Sequence, residues 1–221
     1  EKGIPGDAEG RVRIAERIIT EAARYGIKKK DIVIDALAMT ISSEPEGAKV
    51  TLETLRRLRD DLKVKTVLGV SNISFGLPAR PVVNAAFYTM AMMNGLSAGI
   101  INPSSEDMMK AWYAYHALMG LDANCESYIS HYSNNLTSGV RTVPDGTERK
   151  TTASLRESIE KGLKEDASTI TARLSETQDP LDIINTELIP ALNHVGDGFE
   201  KGTVFLPQLL MSAEAAKSAF A

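Results

Sequence analysis

Three times before residue 102 the sequence repeats one unit: an amphipathic helical face, a turn, then a short β-branched run. From Ala8 to Tyr25, the residues Val12, Ile14, Ala15, Ile18, Ile19, Ala22 and Ala23 recur at three- and four-residue spacing with Arg and Glu between them, which predicts a helix that Gly26 is suited to end. After the polar residues 28–30 comes Asp31-Ile32-Val33-Ile34-Asp35, short and β-branched as a buried strand requires. The second unit pairs a helical face of Leu52, Leu55, Leu58 and Leu62 with a strand over 66–71. The third pairs an apolar helix over 82–93, closed by Asn94-Gly95, with a small-residue strand over 97–101. Strand centres about 30 to 35 residues apart are the period of αβ units in a parallel sheet or a (β/α)8 barrel. A further helix, Ser105 to Leu118, completes this part.

Between 122 and 150 the periodicity gives way to Asn, Ser, Thr and Gly with one turn signal, Pro144-Asp145-Gly146, and reads as an interdomain linker. Beyond it the strand pattern is gone. Leu155, Ile159 and Leu163 mark one helix, Ile170 and Leu174 a second, residues 183–195 a third and 206–219 a fourth, the content of a small helical bundle. Asp179-Pro180 suits the start of the third, with Asp at the N-cap and Pro at the first helical position. The predicted organisation is α/β followed by all-α: a first domain over 1–121, a linker over 122–150 and a second domain over 151–221.

Charge narrows the partners. With a net charge of −4 the chain has no overall basic field to attract a nucleic-acid backbone. Every apolar run is interrupted well short of the roughly 18 residues a membrane span needs, so neither nucleic acid nor membrane is expected as a partner. The single cysteine, Cys125, has no partner for an internal disulfide, and residues 1–5 lack the apolar stretch of a secretion signal, which points to the cytoplasm. His116, His131 and His194 are far apart and no Cys or His pair has metal-ligand spacing, so no metal site is expected.

Ligands of α/β folds and barrels bind at the C-terminal ends of the strands. Asp35 ends the first strand, where its carboxylate either accepts from adjacent N–H donors of a ligand such as an aminopyrimidinone ring or simply caps the loop. Asn72, in Ser71-Asn72-Ile73-Ser74-Phe75-Gly76 after the second strand, either presents its amide at the mouth of the fold or, with Gly76, supplies unusual backbone angles in a turn. Arg80 is placed to grip a carboxylate, to stack on a ring, or to lie solvated. In the second part Phe199, Leu206 and Leu209 have the spacing of ordinary bundle core, and burial would stabilise each by about 1.5 to 3 kcal/mol wherever it packs.

The stretch 69–80, Gly-Val-Ser-Asn-Ile-Ser-Phe-Gly-Leu-Pro-Ala-Arg, resembles the seventh-strand loop of the pterin-binding domain in cobalamin-dependent methionine synthases and related methyltetrahydrofolate:corrinoid methyltransferases. The likeness extends to residues 31–36 as the sixth strand and 95–101 as the eighth. It implies the C-terminal portion of a pterin-binding (β/α)8 barrel, with Asp35, Asn72 and Arg80 in the folate site and Asn72, near N5, as the catalytic residue. Residues 195–213, running from Val195-Gly196-Asp197-Gly198-Phe199-Glu200 through Phe205-Leu206-Pro207-Gln208-Leu209, resemble the signature of the helical-bundle cap over cobalamin. By that likeness Phe199, Leu206 and Leu209 lie against the methyl-bearing face of the corrin. A cap of this kind leaves them partly exposed as an apolar patch when cobalamin is absent.

The resemblance implies methyl transfer from 5-methyltetrahydrofolate to cob(I)alamin, giving methylcobalamin, and in a full enzyme onward to homocysteine. It also implies what this sequence lacks: the early barrel strands, a zinc-dependent homocysteine domain, and the B12 Rossmann domain with its Asp-x-His-x-x-Gly motif. The chain is therefore expected to be a fragment, inactive alone, whose open sheet edges pair with the missing barrel half or drive self-association. The alternative is the cap segment of a corrinoid protein serving methylamine or methoxy-aromatic demethylation, not itself catalytic.

Overall fold

Asp7 starts the first helix by accepting the Gly10 N–H on its carboxylate at 2.7 Å. In the computed structural model, which describes residues 3–133 and 154–220, α1 then runs Ala8–Arg24 and ends at Gly26, whose φ of 77° suits glycine. The chain continues as β1 (Val33–Asp35), α2 (Gly47–Asp60), β2 (Lys65–Gly69), a 3-10 turn (Val70–Ser74), α3 (Arg80–Met93), β3 (Ala98–Ile100) and α4 (Glu106–Leu118). Three αβ steps give a three-stranded sheet in the order β1-β2-β3, all parallel. The register pairs Ile34 with Thr66 and Leu68 with Gly99, and paired residues of a parallel sheet share a face.

On that shared face Thr66 and Leu68 are fully buried beneath the helices. Leu55 and Leu58 of α2, Leu68 and Val70 at β2, Ile73, and Phe87 and Ala91 of α3 form the core of this unit. Gly99 belongs to the packing: a Cβ there would meet the Tyr88 ring at 2.9 Å, so only glycine lets α3 lie this close to β3. Thr66 stitches β2 to the start of β3, donating to the Gly95 carbonyl at 2.9 Å while Ser97 N–H donates to its hydroxyl at 3.0 Å. The opposite face, which carries Val33 and Ile100, is bare: these two are 55% and 62% exposed.

Substituting Leu58 with alanine in this core is expected to lower stability by about 2 to 5 kcal/mol, because Leu58 is 0% exposed and its neighbours cannot all collapse into the space. Denaturant unfolding followed by fluorescence of Trp112, which packs on the same core, reads the loss directly.

Residues Glu1–Leu121 and Asp122–Ala221 separate into two units. In the second, a 3-10 turn (Ala123–Cys125) leads into α5 (Glu126–Ser133), so the first part of the stretch read as linker is helical. The signal for it is local: Asp122 accepts the backbone N–H groups of Ser127 and Tyr128 at 3.0 and 2.9 Å. The Pro144-Asp145-Gly146 turn signal lies outside the described residues.

The remaining helices are α6 (Leu155–Glu160), α7 (Lys164–Leu174), α8 (Pro180–Ile183), a π-helical turn (Ile184–Leu188), α9 (Ile189–Glu200) and α10 (Leu206–Phe220). Asp179 caps α8 as expected, accepting from Leu181 N–H at 2.8 Å, and the run α8–π–α9 is the third predicted helix. The π-helical turn comes just before Pro190, where a proline in a regular helix would clash with the carbonyl four residues back. Leu163, expected in the first of these helices, instead sits at the N-cap of α7. Gly162 causes the break: its φ is 70°, and a Cβ would stand 2.6 Å from Met211 Cβ on α10. Leu155, Ile159, Ala167, Ile183, Leu188, Ala191, Ala215 and Ala216 fill this unit's core.

Candidate functional site

A parallel sheet sends every strand's C-terminal end to one edge, so the loops after β1 and β2 emerge side by side. Their backbones are joined. Ile41 N–H donates to the Ile73 carbonyl at 3.0 Å, and the hydroxyls of Thr40 and Ser42 both donate to the Phe75 carbonyl, at 2.7 and 2.8 Å.

Asp35 is the last residue of β1 and is exposed. Its Oδ1 accepts the Leu37 N–H at 2.8 Å, and among the described residues Oδ2 takes no protein hydrogen bond. One oxygen therefore turns the loop, and the other has no protein partner among the described residues.

Asn72 stands in the 3-10 turn after β2, exposed, its amide unpartnered by protein among the described residues. A Cβ on Gly69 would come within 3.2 Å of Asn72 Nδ2, so the glycine at the end of β2 makes the room in which the amide lies. Donor and acceptor are both available at the same sheet edge as Asp35.

Arg80 is differently engaged. From the first turn of α3 its Nε donates to Ser74 Oγ at 3.0 Å, one terminal nitrogen donates to the Ser71 carbonyl at 2.8 Å, and the guanidinium lies 5.8 Å from the Phe75 ring centroid. Ser74 is itself buried and donates to Asn84 Oδ1 at 2.7 Å. Arg80 therefore braces the turn that carries Asn72 from both sides.

Sequence reasoning passed over Arg11, read as one of the polar residues of α1. It is only 7% exposed and donates to the Ala36 and Leu37 carbonyls directly after Asp35, at 3.0 and 2.7 Å. Burial pulls its guanidinium below the ordinary arginine value, opposed by the charges of Glu44 and Asp7. Its spacing carried a signal: Arg11 lies four residues before Ala15, on the helix face of Ala15, Ile18 and Ala22, whereas Arg13 and Arg17 fall on the opposite side. Ser74, Thr40 and Ser42 were invisible as loop braces.

In the second unit the residues of the 195–213 stretch build a tight reversal between α9 and α10. Thr203 and Val204 N–H both donate to the Gly198 carbonyl, at 2.8 and 3.0 Å, and the reversal packs so closely that a Cβ on Gly198 would meet Val204 at 2.6 Å. Gln208 reaches back to accept the Phe205 N–H at 2.9 Å, capping α10. This holds Phe199 at the end of α9 and Leu206 at the start of α10, 43% and 56% exposed, with Leu209 half-buried in the first turn of α10. Leu210, not singled out from the sequence, extends the apolar surface into a groove with Leu206, Pro207 and Met211. No helix among the described residues is long and apolar enough to cross a membrane.

Comparison with known proteins agrees with this division. Residues 2–102 match the family described as pterin binding enzyme, and residues 152–221 the family described as B12 binding domain. A methylcorrinoid:tetrahydrofolate methyltransferase of Eubacterium limosum is 36% identical over 129 residues, 57% of this chain and 47% of that protein. Methionine synthases of Mycobacterium tuberculosis and Mycobacterium leprae are each 30% identical over all of this chain, which spans 20% of their length. The relatives are methyltransferases, and the chain is similar to methionine synthases along its whole length, with a segment that matches the pterin-binding family followed by one that matches the B12-binding family.

Proposed function

We propose that this chain exchanges a methyl group between N5 of tetrahydrofolate and a corrinoid, in the direction from 5-methyltetrahydrofolate to cob(I)alamin, as part of a longer polypeptide in which homocysteine is the final acceptor. Residues 1–121 are read as the C-terminal part of a (β/α)8 barrel, with residues 151–221 as a cobalamin cap. The observation that supports the reading is that Asp35 and Asn72 stand at one edge of a parallel sheet, with one Asp35 oxygen and the Asn72 amide without a protein partner among the described residues. The bare sheet face around Val33 and Ile100 supports the partial barrel, since parallel sheets are ordinarily covered on both faces.

Asp35 Oδ2 accepts N–H bonds from the pterin ring and fixes its orientation. N5 is a poor leaving group, so the bond from N5 to the methyl carbon breaks only as a proton or hydrogen bond takes up the electron pair left on nitrogen. The Asn72 amide carries donor and acceptor together and bonds N5 in both states by turning over. It need not be the source of the proton. Arg80 holds the turn in which this happens.

Phe199, Leu206 and Leu209 suit a corrin ring, because a flat apolar macrocycle is matched by large apolar side chains held bare at a surface. A bound corrinoid supplies the cobalt centre that takes or gives the methyl group. The three side chains would pack against the ring and keep water from it.

The likeness to a methylcorrinoid:tetrahydrofolate methyltransferase favours, as a second reading, the same exchange run toward folate. Mixing the full-length polypeptide with reduced cobalamin and methyltetrahydrofolate, or with methylated cobalamin and tetrahydrofolate, and following the cobalamin spectrum decides the direction. Transfer in neither mixture, with transfer from a methylamine or methoxy-aromatic donor, would discard the folate function and leave only the cap.

A further inference from the structure

The buried guanidinium of Arg11 has an unusual set of partners. It is 7% exposed, yet its acceptors are mainly backbone carbonyls: Pro5 at 3.2 Å from Nε, and Ala36 and Leu37 at 3.0 and 2.7 Å from one terminal nitrogen. Thr51, fully buried on α2, brings its hydroxyl within 3.0 Å of the same Leu37 carbonyl and 2.9 Å of the Gly47 carbonyl one turn back, so its one proton is shared between them. Leu37 is thereby held at a φ of 61°, a left-handed conformation that leucine rarely adopts. In that conformation its N–H meets Asp35 Oδ1 at 2.8 Å.

A charge buried without a carboxylate partner is poor value for stability, and an apolar side chain of similar size would fill the same space without desolvation. What a guanidinium adds is direction, since two of its nitrogens fix three carbonyls at once. The contacts form a chain: Arg11 and Thr51 meet the Leu37 carbonyl, Leu37 N–H engages one oxygen of Asp35, and the other oxygen accepts no protein hydrogen bond among the described residues. Arg11 and Leu37 are 26 residues apart in sequence.

We propose that Arg11 is a positioning residue that, with Thr51, sets the orientation of the Asp35 carboxylate through the backbone of Leu37 and so sets the selectivity of this site for ligands bearing adjacent N–H donors. The proposal rests on the reading of Asp35 as the pterin anchor. It separates two roles in one loop: Asp35 touches the ligand, whereas Arg11 touches only protein.

The test uses Arg11→Lys, which keeps the charge but loses the fork, and Thr51→Val, which keeps volume and removes the hydroxyl. Two readouts are taken in the full-length polypeptide: exchange of the Leu37 amide proton without ligand, and affinity for methyltetrahydrofolate. Both variants are expected to accelerate Leu37 exchange about tenfold and to weaken folate binding about 5- to 10-fold, with the rate of methyl transfer at saturating folate unchanged. In an Asp35→Asn background the added Arg11→Lys change is expected to shift affinity less than about twofold, because a residue acting through Asp35 has nothing left to position. A merely structural role would persist undiminished in that background, and this outcome, or unchanged Leu37 exchange in both variants, overturns the proposal. Undiminished folate affinity in Asp35→Asn alone removes the pterin-anchor reading instead, a failure visible before Arg11 is altered.

Discussion

Methyl transfer at saturating folate is expected to slow by about a hundredfold or more in Asn72→Ala, the range lost when a single group that stabilises developing charge is removed. Folate affinity should change far less, by under about tenfold, because Asn72 meets only N5 and that bond matters most as the carbon–nitrogen bond breaks. The substitution also leaves the protein intact: the Asn72 amide has no protein partner among the described residues, and the turn is held by Arg80 on Ser71 and Ser74. Stopped-flow absorbance of the corrinoid, with folate affinity measured separately, distinguishes the two effects. Equal losses in rate and affinity would mean that Asn72 only binds folate, and an unaltered rate would remove it from the chemistry.

Binding should fail first in Asp35→Ala. Removing a carboxylate that accepts from paired N–H donors leaves those donors unmet in a partly desolvated site, and the expected cost is about a hundredfold in affinity. The alanine also releases the Leu37 N–H, so Asp35→Asn is the sharper variant: an amide retains an acceptor for Leu37 but offers the pterin a donor where it needs an acceptor. Both should weaken methyltetrahydrofolate comparably by calorimetric titration. Weakening in Asp35→Ala alone would trace the effect to the loop turn, and wild-type affinity in both would place the pterin elsewhere.

Much of the fold was legible because it is written in short-range signals. Leucine spacing gives α2, and β-branched runs of the right period give β1 and β2. Asp179-Pro180 starts α8 where capping chemistry says it should. The misreading of Leu163 has a tertiary origin. Leu163 fits the periodicity of α6 perfectly well, yet Gly162 breaks the helix because Met211, far along the chain, leaves no room for a Cβ. The site divides the same way. Asp35 and Asn72 were visible as polar residues at strand ends, whereas Arg11 as a clamp and Arg80 as a brace depend on contacts formed only once the strands are side by side. A helical pattern places Arg11 on the apolar face of α1, and only packing says which carbonyls it meets there.

The shared acceptor at Phe75, where Thr40 and Ser42 converge from the neighbouring loop, bears on how such a site can be altered. Residues 36–46 and 70–79 are not independent modules. A laboratory graft that replaced one loop to change ligand preference would strip the other of its hydrogen-bond partners, so the two segments must be exchanged together. Position 75 contributes only its backbone carbonyl, which any residue supplies, so side-chain changes that break the joint fall at 40 and 42, and at 75 only the path of the backbone matters.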